Sequence, residues 1–143
     1  VLCPVCLNPV RTDEHGLVLR HPDSVGMDCR MSGQLGPVWT ETSTRAAVSG
    51  RSGGICEFCM KMTGQEMHHR KSRGVGGRWH PANILHLCRR CHHFATEHPG
   101  WSHALGLIVR SGENPSTRPV QRENGVSFQP TDEVTMPVPK GRR

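Results

Sequence analysis

The chain has 143 residues, enough for one domain or one compact domain with a small appendage and too few for a multidomain machine. Leu, Ile, Val and Phe make up about a fifth of it, the border where apolar burial alone stops sustaining a fold, while seven cysteines and ten histidines are a supply of metal ligands. The formal charge of +6 points to a polyanionic partner such as nucleic acid; two zinc–thiolate sites would lower it to roughly +3, so its distribution along the chain says more than its total.

No apolar stretch is long enough to span a bilayer and no basic-then-apolar leader opens the chain, so neither membrane insertion nor secretion is expected. C-x-x-C pairs with an odd cysteine total fit a reducing compartment, the cytoplasm. Residues 1–33 read as a small zinc ribbon with Cys3, Cys6, His21 and Cys29 as ligands, two of them in one tight knuckle. The plainer reading leaves His21 at the surface and Cys29 a thiol. Residues 34–43 form a connector. Thr42 or Ser43 is then expected to cap a short helix through Arg51, stopped by Gly53 and Gly54 and packed as a brace on the cysteine- and histidine-rich segment after it.

From Cys56 the composition changes: residues 56–98 hold four Cys, seven His and seven Lys or Arg against three Glu. The pattern predicts a strand around His68 and His69, a glycine-rich basic loop, a strand around Leu85 and Leu87, and a helix holding His92 and Phe94 that Pro99 ends. The second strand is expected to bury one face, with His86 on the exposed one. A short helix comes next at 100–105, then the apolar exit Leu107–Val109. Residues 111–143 carry five prolines and read as a tail, with a hairpin expected around Asn124-Gly125.

Cys56, Cys59, Cys88 and Cys91 come as two knuckles separated by 28 residues, the soft donor set of a closed tetrahedral zinc. With every position taken by thiolate, such a zinc is a staple and not a reaction centre. Across the loop it closes and the helix into which that loop runs, the expected order of elements brings His68, His69, Asn83 and His92 toward one another.

These residues, Cys56, Cys59, His68, His69, Asn83, Cys88, Cys91 and His92, resemble the HNH endonucleases, specifically the zinc-stapled subgroup and the small phage and bacterial proteins. The resemblance covers roughly residues 44–98, within an expected endonuclease domain at 44–110. It implies a small α+β, zinc-stabilised chain: a ββα-metal finger between the N-terminal ribbon and a loop-rich C-terminal tail. It implies that His68 and His92 hold a divalent cation (Mg or Mn expected, Ni or Zn acceptable to two imidazoles), that His69 is the general base, and that Asn83 orients His69 through its backbone. It also implies double-stranded DNA as the substrate, in a bacterium or an infected host cell, with phage packaging proteins or a second copy of the chain as further partners.

Two points complicate this assignment. Successive residues of a regular strand face opposite ways, so His68 and His69 reach one centre only from a strand end, twist or bulge. Where some relatives place another histidine four residues after position 92, this chain has Thr96, which leaves two protein ligands and His98 as a weak third. Arg70, Lys71, Arg73, Arg78 and Arg89 are the expected nucleic-acid contacts, with glycines letting backbone amides approach phosphate. His80 is expected exposed, His93 paired with Glu97 and His103 on the next helix. A non-catalytic zinc-dependent nucleic-acid-binding module is the alternative function.

Overall fold

In the computed structural model, which describes residues 10, 11, 17, 19–22, 25–27, 29, 32 and 39–130, the first helix, α1, runs from Glu41 to Ser52. Its cap, Thr40, lies two residues before Thr42 and three before Ser43, the two expected caps. Thr40 and Ser43 form a reciprocal capping box, each side chain accepting the other's backbone N–H, and Gly53 closes the helix with φ +62°. Ala47 and Val48 point inward. Arg51, in the last turn, donates to both Glu57 carboxylate oxygens and to the carbonyls of Pro81 and Ile84. The expected brace is therefore tied down by charge-assisted hydrogen bonds at least as much as by its thin apolar face.

Strand β1 (Glu66–His69) pairs antiparallel with β2 (Ile84–Leu87) in a continuous register from Glu66 opposite Leu87 to His69 opposite Ile84. The loop between them holds one 3-10 turn at Arg73–Val75. Helix α2 (Arg89–Glu97) comes directly after β2, and Pro99 opens α3 (Pro99–Leu105) at a position where its missing N–H costs nothing. Ser102, fully buried, donates to the Ala95 carbonyl at 2.9 Å and joins the two helices.

All four residues of β2 are buried, not alternate ones. Leu85 and Leu87 lie in the core with the four cysteines, Leu107 and Val120. His86, expected at the surface, is covered from the α1 side, with Ser52 Oγ 2.8 Å from its Nδ1. Both faces of the strand are covered because α1 occupies the one that a two-stranded sheet alone would leave wet. Each fully buried leucine contributes roughly 1.5–3 kcal/mol.

The expected tail enters this core. Val120 is completely buried, Arg122 donates to the Glu57 carbonyl at 3.0 Å, and β3 (Val120–Gln121) pairs with β4 (Ser127–Phe128) around Gly125, φ +85°. Gly106 ends α3 with φ +78°, where any Cβ would stand 2.0 Å from the Pro119 carbonyl oxygen, so only glycine lets these segments meet. The described part is a small α+β unit of three helices and two small antiparallel sheets, and no described helix is long and apolar enough to cross a membrane.

Candidate functional site

The Sγ atoms of Cys56, Cys59, Cys88 and Cys91 all lie within 4.8 Å of one another, and all four residues are buried. Tetrahedral zinc with bonds of about 2.3 Å sets its thiolates about 3.8 Å apart, so this cluster could hold zinc with little adjustment. The knuckles are shaped for it. Met60 carries φ +59° just after Cys59, and its N–H donates to the Cys56 carbonyl at 3.0 Å. Burial opposes ionisation of Cys59, but the backbone N–H groups of Lys61 and Met62, with further hydrogen bonds from the neighbouring thiols, outweigh it and bring the thiol down to about 7. Burial pushes the Cys56 and Cys91 thiols up, the condition a bound cation would relieve.

Of the second expected set, Cys3 and Cys6 lie outside the described residues. Cys29 is buried and its N–H donates to the His21 carbonyl at 2.9 Å.

His68 and His92 meet, their ring centroids 5.1 Å apart at 63°. His68 is buried on the α2 side of β1 and its Nε2 lies 2.7 Å from the Leu107 carbonyl. Since that oxygen only accepts, Nε2 carries the proton and Nδ1 keeps a lone pair. His92 Nδ1 contacts the Glu66 carboxylate, which also pairs with Arg89 at 3.5 Å. Glu66 thus holds His92 as Leu107 holds His68, the outer-shell arrangement typical of imidazoles that offer their other nitrogen to a cation. Burial lowers His68 to about 4, so it stays neutral near pH 7. The hydrogen bond from His92, against a smaller effect of desolvation, holds Glu66 below the usual carboxylate range.

His69 is the last residue of β1, and the register shows no bulge there. Its ring meets the edge of Trp79 with centroids 4.6 Å apart. Its Nε2 is enclosed and has no hydrogen-bond partner among the described residues. Burial first, then Arg73 and Arg45, lower its pKa and favour the neutral ring.

Asn83 departs from expectation. Its amide binds the loop and not His69: Oδ1 accepts from the Lys71 N–H at 2.7 Å, and Nδ2 donates to the carbonyls of Lys71 and Arg78, each at 3.0 Å. It closes the base of the loop two residues beyond His69.

Comparison with models of known protein families, with curated proteins and with solved structures finds no match to the chain.

Several expected contacts are corrected. Arg70 is 1% exposed, and its guanidinium donates to the carbonyls of Gly106, Ala82, Pro115 and Arg118, so it is a structural node and not a nucleic-acid contact. Lys71 is buried as well. Arg73, Arg78 and Arg89 do face solvent. The glycines of the loop serve its turn: Gly76 takes φ +88°, and a Cβ on Gly77 would lie 1.7 Å from the Lys71 carbonyl oxygen. His80 is buried, its Nδ1 accepting from the Ala82 N–H at 3.0 Å. His93 pairs with Glu97 at 3.1 Å and His103 with Glu113 at 2.7 Å. His98 tilts over Phe94, centroids 4.9 Å apart.

Glu66, Trp79 and Arg45 are site neighbours that the sequence did not single out. Glu66 had a signal, because it stands two residues before His68 and so shares its strand face. Arg45 had none, lying on another element.

Proposed function

We propose that the chain is a metal-dependent HNH endonuclease that hydrolyses DNA phosphodiester bonds, with the two strands and the helix after them as a ββα-metal finger. The observation carrying this reading is the meeting of His68 and His92, 5.1 Å between rings, each with one nitrogen engaged by Leu107 or Glu66 and the other left to bind. Their side chains would hold the cation. Such a cation supplies positive charge at the phosphate oxygens and acidifies bound water. His69, neutral and half-buried, accepts the proton of the attacking water. The cysteine cluster keeps β1, β2 and α2 in register around the pair.

One observation favours the second reading, a zinc-stapled nucleic-acid-binding module: His69 turns to Trp79, on the strand face opposite to the one where His68 meets His92. Plasmid nicking decides between them. With Mg or Mn, wild type converts supercoiled plasmid to the open circle, while His69→Ala and His92→Ala lose cutting and keep DNA binding. A wild type inert with every divalent metal, yet able to shift DNA, is the module.

A further inference from the structure

The half-buried indole of Trp79 carries two guanidiniums, Arg45 Cζ 5.0 Å and Arg73 Cζ 5.4 Å from its ring centroid, while its edge rests against His69. The arginines come from different elements, α1 and the 3-10 turn of the β1–β2 loop, so no helical spacing brings them together. Both face solvent, and among the described residues the Glu41 carboxylate pairs with Arg45 at 3.0 Å on a half-exposed side chain. Two cations gathered on one ring repel each other. The aromatic face offsets part of that cost, and a dianionic or monoanionic oxygen ligand between them would offset the rest. Arg45 spends its Nε–H on the Glu41 carboxylate at 3.0 Å, which leaves its terminal N–H groups, and with them those of Arg73, to match phosphate oxygens.

We propose that Arg45, Arg73 and Trp79 form a clamp for the backbone phosphates of DNA beside His69, with Trp79 as the platform that pre-orders both cations. This rests on the nucleic-acid substrate of the proposed function and adds α1 to the binding surface. Each arginine neutralises one phosphate, so both affinity and its salt dependence fall when one is removed. Trp79 acts through the arginines as a positioning residue, and any flat π face at that position serves.

The test is fluorescence anisotropy of the full, zinc-loaded chain with a labelled DNA duplex, without other divalent ions, across a salt series. Arg45→Ala and Arg73→Ala are each expected to reduce the slope of log affinity against log salt by about 0.9, which weakens binding about eight-fold at 0.1 M salt. Trp79→Phe keeps wild-type binding within about two-fold, whereas Trp79→Leu weakens it at unchanged zinc content. Arg45 is half-exposed, so its variant retains the fold. An unchanged slope in Arg45→Ala overturns the clamp, as does a wild type that binds no duplex. A wild type that binds with these slopes but nicks nothing overturns the nuclease reading and leaves the clamp standing; one that nicks while Arg45→Ala keeps its slope does the reverse.

Discussion

The Leu107 carbonyl accepts the Nε2–H of His68 at 2.7 Å across 39 residues of chain, which joins the exit of α3 to the strand that carries the candidate site. This contact and burial have opposite effects on the ring's charge. Burial, the larger, lowers His68 from 6.5 to about 4 despite the favourable hydrogen bond, with His92, His69 and Arg70 adding to the fall. As pH drops, the unfolded chain therefore takes up this proton before the folded one does. The stability contributed is fully present above about 6.5 and is lost progressively as pH falls to about 4, about 3 kcal/mol in all. His68→Gln can still donate to Leu107 and does not titrate. The stability gap between wild type and His68→Gln, from urea midpoints, is expected to narrow over that window, and a gap independent of pH contradicts it.

Removing one thiolate tests the staple. The cluster could hold zinc, and Cys88→Ser is then expected to lose that metal, measured by elemental analysis, together with the cooperative thermal transition, because a structural site contributes on the order of 10 kcal/mol that a core this small cannot replace. A chelator added to wild type should have the same effect.

Arg70 satisfies four carbonyls from three separate segments of the chain. Burial lowers its pKa to about 9, still charged near neutrality. Arg70→Met takes away the donor of the Gly106, Ala82 and Arg118 carbonyls, while the Pro115 carbonyl keeps Gln129 Nε2 at 2.9 Å, and should cost about 3–5 kcal/mol in denaturant unfolding. The loss would come without a matching change in the salt dependence of DNA binding, as expected of a residue with no exposed charge.

Met60 stands in left-handed backbone, φ +59°, with a half-exposed side chain. Met60→Gly removes that strain and is expected to raise stability by about 1 kcal/mol at unchanged zinc stoichiometry, set against the greater freedom of glycine in the unfolded chain.

Glu66 touches His92 from the strand and faces solvent in part. Glu66→Gln keeps an acceptor and loses the charge, so the nicking rate should drop roughly 10–100-fold while the melting temperature hardly moves. An unchanged rate would remove Glu66 from the site.

The order helix, strand, loop, strand, helix was readable because each boundary is local chemistry. Gly53 stops α1, Pro99 separates α2 from α3, and Gly125 turns the last hairpin. The cap of α1 is Thr40 and not Thr42 or Ser43 because all three carry capping hydroxyls, and only the observed reciprocal bonds distinguish them. His86 and His80 were expected at the surface because alternation reports which face a residue takes, not what covers that face.

Cysteine spacing and turn residues act over a few bonds, so the primary structure already contained the knuckles and the strand carrying His68 and His69. Whether a cation faces solvent or four carbonyls, and whether His69 turns to His68 or to Trp79, depends on segments tens of residues away. Arg70 and Arg73 are neighbours in one basic run, yet Arg70 is sealed beneath Gly106 and Pro115 while Arg73 lies in the open over an indole. Long-range packing made that separation, because a buried guanidinium is tolerable only where distant carbonyls converge to receive it.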